Sequence, residues 1–114
     1  MDLHSVMCVS DLVRSLEWYE VFFGRKADEL IGEEYLWQVG ENAYVVIDAR
    51  DVRSARVGGS MVTFGVSGPE LSGALARFLE HGVAHGPVET YSNGVQHVEV
   101  LDPDGNSLSL AALP

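Results

Sequence analysis

The chain has 114 residues, 46% of them hydrophobic, and seven basic against seventeen acidic side chains give a formal net charge of −10. That balance argues against a nucleic-acid partner, because binding a polyanion rests on Lys and Arg displacing counterions. No apolar run approaches the roughly 20 residues of a membrane-crossing helix, and no basic segment leads into an apolar one at the N-terminus. With the single cysteine Cys8, which leaves no internal disulfide, the expectation is a cytoplasmic protein of one compact domain over 1–114.

Residues 3–10 are β-leaning, and Ser10-Asp11 then offers side-chain oxygens that cap a helix start. Over 12–23, Leu12, Leu16, Tyr19 and Phe23 recur at helical steps, and Gly24 sits at a left-handed C-cap. Lys26–Ile31 reads as a weak strand, Tyr35–Val39 as an aromatic-rich one, and Tyr44–Asp48 as the strongest β run of the first half. Residues 49–59 carry no apolar period and read as a crossover. A strand over 60–67, a helix over 69–81, an extended piece near Pro87–Tyr91 and a hairpin of Val95–Leu101 with Ser107–Ala111 complete the chain. The hairpin turn, Asp102-Pro103-Asp104-Gly105-Asn106, has proline to preset φ and glycine to take positive φ.

Val66-Ser67 follows Val9-Ser10 by 57 residues, and Leu71, Leu75 and Phe78 follow Leu12, Leu16 and Tyr19 by 59. The chain is one βαβββ unit used twice, with module 1 at about 1–52 and module 2 at about 58–114. The fold class is therefore α+β, with each module's strands expected to curve into a half-barrel around a cleft.

Val9-Ser10-Asp11, Arg14-Ser15, Trp18-Tyr19 and Phe23-Gly24, together with Asp102–Asn106, Leu108 and Leu110, resemble the vicinal oxygen chelate superfamily. This is the fold of glyoxalase I, bleomycin-resistance proteins, fosfomycin-resistance enzymes and extradiol dioxygenases. The resemblance implies a cleft with four positions that hold a divalent metal in the family's enzymes. Here they match His4, Asp48, Met61 and Ser109. A thioether and a neutral hydroxyl are poor ligands for Ni, Mn, Fe or Zn, and a catalytic site normally needs three protein ligands. The expectation is a site without metal or other cofactor.

Strand alternation places His4, Val6 and Cys8 toward the cleft, with Tyr44, Val46 and Asp48 beside them and Met61, Thr63 and Gly65 in module 2. It sends Val98 and Val100 toward the helix and His97 and Glu99 toward the cleft, so His4, Asp48, His97 and Glu99 could converge as a non-standard site. Trp37, Tyr35, Tyr44 and Tyr91 offer stacking surface. Trp18, His81 and His85 read as packing or surface groups, and Cys8 as a small buried hydrophobe.

The function expected is sequestration of an aromatic or cationic organic ligand, in the manner of bleomycin-resistance, and thus antibiotic-resistance, proteins. The ligand contacts expected are His4, Val6, Trp37, Tyr44, Val46, Asp48, Met61, Thr63, His97, Glu99 and Ser109, in a homodimer whose clefts use both chains. The alternative is a glyoxalase- or dioxygenase-like lyase, isomerase or oxygenase, with a rearranged metal site or with His4 or Glu99 as general base.

Overall fold

The caps set the helices. In the computed structural model, which describes residues 1–114, Asp11 is extended and its carboxylate accepts the Arg14 N–H at 3.0 Å, starting α1 (Leu12–Phe23). Gly24, at φ 74°, ends it. The helix α2 (Gly68–His81) starts at Ser67, whose hydroxyl accepts the Glu70 N–H at 3.1 Å and donates to the Glu70 carboxylate at 3.0 Å. Pro69 occupies its first turn, and Gly82, at φ 69°, closes it.

Module 1 contributes strands β1 (Leu3–Cys8), β2 (Glu29–Ile31), β3 (Glu34–Gly40) and β4 (Ala43–Asp48). They lie in the order β1-β4-β3-β2, with β1 parallel to β4. Module 2 repeats the plan with β5 (Met61–Val66), β6 (Glu89–Thr90), β7 (Gln96–Leu101) and β8 (Ser107–Ala112) in the order β5-β8-β7-β6. The repeat legible in the sequence is thus a repeat of topology.

One core of fifteen buried residues spans both modules. Met7, Val9, Trp37, Val45 and Ile47 point from the first sheet toward the helices, as do Val98, Val100, Leu108, Leu110 and Ala112 from the second. The buried stripe of α1 is Ser15, Tyr19 and Phe22, one step round from the expected face, so Leu12, Leu16 and Phe23 flank it half-buried. Phe22 reaches module 2 directly, stacking on Phe78 at 5.7 Å and meeting Phe64 at 5.9 Å. Each large apolar side chain so buried contributes about 1.5–3 kcal/mol.

A polar hub joins the modules beside this core. The buried Asp102 carboxylate accepts from Tyr19 Oη at 2.7 Å, from Asn106 Nδ2 at 2.8 Å, and from the amides of Asp104 and Asn106. Asn106 also donates to the Cys8 carbonyl at 3.0 Å and accepts the Ser60 amide at 2.9 Å. The Asp104 carboxylate accepts from the Ser10 amide and hydroxyl. Gly58, at φ +75°, brings the crossover onto this turn, where a Cβ would stand 2.2 Å from the Asp104 carbonyl oxygen. Neither proline geometry nor apolar period announces such a hub.

With the helices on one side of both sheets, the other faces remain open and do not close into a barrel. His4, Val6, Thr63 and Gly65 are exposed, and Met61 keeps 80% of its surface.

Candidate functional site

Alternation opposite the core residues defines the two open faces. The module 1 face carries His4, Val6 and Cys8 from β1, Tyr44, Val46 and Asp48 from β4, and Leu36 from β3. His4 and Tyr44 are register partners, and their rings lie 5.0 Å apart. The module 2 face carries Met61 and Thr63 from β5, Ser107 and Ser109 from β8, and His97 and Glu99 from β7. Ser107 Oγ donates to the Glu99 carboxylate at 2.6 Å, and His97 stacks on Tyr91 at 5.8 Å.

Three placements differ from the sequence expectation. Trp37 is fully buried on the helix side, where its Nε1 donates to the Arg25 carbonyl at 3.0 Å and its ring stacks on Phe23 at 5.3 Å. It lines no open face, and Tyr35 shares its side. Cys8 lies on the open face where alternation puts it, but half-buried there rather than buried. Asp48 is the register partner of Cys8, whereas His4 pairs with Tyr44. Four residues of strand separate His4 from Asp48 along the sheet, about 13 Å.

Register also relocates one of the four inherited positions. In module 2, Met61 pairs with Ser107 and Thr63 with Ser109, so Ser109 stands two residues beyond the partner of Met61. The same offset from the His4–Tyr44 pair falls on Val46, a residue only 2% exposed. The equivalent set is therefore His4, Val46, Met61 and Ser109, with a single strong metal donor. No three His, Cys, Asp or Glu side chains converge as a metal site anywhere in the chain. His4, Asp48, His97 and Glu99 do not form such a group either, and the side chains present do not fit a divalent ion.

Asp48 is already engaged. Arg50 grips both carboxylate oxygens, with Nε at 3.1 and 3.0 Å and Nη2 at 2.7 Å, and its amide adds a fourth bond at 2.9 Å. The hydrogen bonds from Arg50 hold the Asp48 carboxyl below its ordinary value of 3.8, against a smaller opposing effect of burial. Arg50 also lies 3.8 Å from Glu34. Sequence reasoning missed this latch, although a cation two residues after an acid was its visible sign. It also missed Leu36 and Ser107, which the same alternation would have found.

The family model of the glyoxalase/bleomycin resistance protein/dioxygenase superfamily matches residues 3–110. This chain belongs to that superfamily. A glyoxalase/bleomycin resistance protein of Catenulispora acidiphila is 31% identical, with a TM-score of 0.87 over 100% of this chain and 99% of that one. At the level of fold alone, the superfamily member resembles oxidase ChaP-H2, at 16% identity and TM-score 0.81 over 100% and 94% of the two chains. It likewise resembles a lactoylglutathione lyase of Agrobacterium tumefaciens, at 18% identity and TM-score 0.75 over 98% and 92%. No curated protein sequence matches the chain.

Proposed function

We propose that this superfamily member is a metal-free binding protein that holds a small organic molecule between the open face of module 1 and that of module 2 from a second copy. The observation that carries the reading is the donor set: His4, Val46, Met61 and Ser109 replace a metal's ligands with one imidazole, two apolar side chains and a hydroxyl. Such a mixture suits a mostly apolar pocket with a few orienting polar groups. The tilted His4–Tyr44 pair offers a flat ring a stacking surface, and Val6 and Met61 widen the apolar patch. Glu99, exposed and held by Ser107, is the carboxylate that would favour a neutral or cationic ligand, since Asp48 is committed to Arg50.

Two copies are part of the proposal. β1 and β5 each have a neighbouring strand on one side only, and Met61 is left in water. A homodimer would cover both. Light scattering at tens of micromolar should give twice the chain mass of 12.4 kDa.

The decisive experiment compares the parent with a variant carrying Val46→Glu, Met61→His and Ser109→Glu. The parent, purified without chelator, should carry no stoichiometric Ni, Zn, Fe or Mn and should bind the planar cation proflavine, shifting the ring signals of His4 and Tyr44. The variant should gain metal affinity. Tight metal binding by the parent that His4→Ala abolishes overturns the reading, as does a preference of the parent for small anions such as 2-oxoacids.

A further inference from the structure

A pocket of about 570 Å³ runs along the seam between the modules, around the unpaired edge of β5, where Thr63 and Gly65 also belong to the open face of module 2. His4, Tyr44, Val46, Met61 and Ser109 are not among its walls. Its apolar lining comprises Phe22 and Phe23 of α1, Val39 of β3, Phe64 and Val66 of β5, Ala74 of α2 and Leu110 of β8. A volume of that size lies within the range that takes small organic ligands.

The polar groups of this pocket are ordered along one face of α2. Glu70 and Arg77 are seven residues apart, two turns or about 10 Å along the helix. Glu70 is occupied by the Ser67 hydroxyl at 3.0 Å. Between them is Gly73, where a Cβ would meet nothing within 4 Å. The Arg77 guanidinium is fixed by two carbonyls at the end of α1, with Nε donating to Val21 at 2.5 Å and Nη2 to Phe22 at 2.6 Å. Those bonds complement the negative end of the helix. They engage two of its five N–H groups.

Arg77 forms no ion pair with any carboxylate, whereas Arg25, on the opposite wall, is paired with Asp28 at 2.7 Å. In a chain of net charge −10, a half-buried, positioned guanidinium without a carboxylate is complementary to an anion from outside. A planar fork suits a carboxylate above other anionic groups of similar size.

We propose that the seam pocket is a second ligand site, which takes a small apolar carboxylate with its acid on Arg77 and its hydrocarbon body on Phe22, Phe23 and Phe64. The site shares Thr63 and Gly65 of β5 with the open face of module 2 but none of the residues that carry the function proposed above, so substitutions at Gly73 and Arg77 test it separately. Binding there joins α1, α2 and β5, and so ties one module to the other.

The test uses the full chain and two matched probes, 4-phenylbutyrate and 4-phenylbutylamine, which share a ring and a short chain but carry opposite charges. In ¹⁵N-resolved NMR titrations, the acid should shift the amides of Phe64, Gly65 and Gly73 saturably, with an affinity at least tenfold above that of the amine. Gly73→Leu places a side chain in the empty space and removes a glycine from a helix interior. It should melt at the same or a higher temperature and lose at least tenfold in affinity for the acid. Arg77→Lys keeps the charge without the fork and should weaken the acid severalfold while leaving the amine unchanged. Equal binding of acid and amine, unchanged affinity in folded Gly73→Leu, shifts confined to His4, Tyr44 and Ser109, or no saturable shift at all would each overturn the site.

Discussion

The two modules place a β-hairpin turn at the same point of their topology, and the two turns do opposite work. In module 1, Glu41-Asn42 joins β3 to β4 as an exposed tip. In module 2, Asp102–Asn106 joins β7 to β8, and it buries an aspartate and an asparagine that bond to Tyr19, Cys8 and Ser60. One turn bonds only within its own module, where the Asn42 carbonyl accepts the Leu3 amide at 2.8 Å. The other carries the contacts that hold module 1 against module 2. Duplicated topology therefore does not mean duplicated responsibility, and the difference rests on polar atoms that have no water to fall back on.

Substitution in the two turns breaks this comparison most sharply. Asp102→Ala strands the Tyr19 hydroxyl and the backbone N–H groups of Asp104 and Asn106, leaves the Asn106 side chain with only the Cys8 carbonyl as acceptor, and should lower stability by about 3 kcal/mol or more. Asn42→Ala should stay within about 0.5 kcal/mol. Urea denaturation of both variants reads the difference, and equal losses would mean that the hub does not bear on stability.

A comparably large contrast separates the two sides of the first sheet. Trp37→Ala opens a cavity in the core and should cost about 3–5 kcal/mol. Tyr44→Ala, on the open face, should cost under about 1 kcal/mol and act chiefly on ligand contact. A Trp37→Ala protein as stable as the parent would remove Trp37 from the core.

The hub also predicts an alkaline limit. Burial first, and then the Asp102 charge, push the Tyr19 hydroxyl far above its ordinary value of 10.0. The folded state retains a proton that the unfolded chain releases, so Tyr19 contributes full stability below pH 10 and progressively less above it. Stability measured across pH 9 to 12 should fall in the parent, and the fall should be shallower in Tyr19→Phe, whose overall stability is lower. An equal slope in both would assign the alkaline loss elsewhere.

The smallest effect belongs to the latch on the open face of module 1. Because Arg50 lowers the Asp48 pKa, its stabilisation is present at pH values above 3.8 and is lost as pH falls through the lower folded value. The stability gap between the parent and Arg50→Ala should therefore be present at pH 7 and vanish in strong acid. A gap unchanged down to pH 2 would show that Arg50 acts by packing rather than through the carboxylate.

Most of the architecture was legible because its signals are local. Ser10-Asp11, the stop at Gly24 and the run Tyr44–Asp48 each act within a few residues, and the elements formed where those signals stand. The open faces were legible where alternation was followed, as for His97 and Glu99. It failed on β3, where Trp37 drew attention as an aromatic while its parity with Tyr35 and its place opposite Val45 put it with the core. Register was not legible at all. Whether Val46 or Asp48 occupies the position two residues past the partner of His4 depends on how β1 lies against β4, and forty residues of intervening chain do not encode that locally. The hub was hidden for the same reason: Asp102 reads as a turn former, and its partner Tyr19 is 83 positions away.

The docking of Gly58 on Asp104 has a consequence for the order in which the protein can be made. The groups that satisfy the end of β1 and the start of α1, Asp102, Asp104 and Asn106, follow them in the chain by 83 to 98 residues. While the chain emerges from a ribosome, module 1 has its strands and helix but neither the partner of Tyr19 nor that of Ser10. Phe22 is covered earlier in the chain, by Phe64 and Phe78, whereas the polar contacts wait for the β7–β8 hairpin. The two modules are therefore coupled in folding, and a chain cut before residue 102 should leave the Tyr19 and Ser10 hydroxyls without these partners.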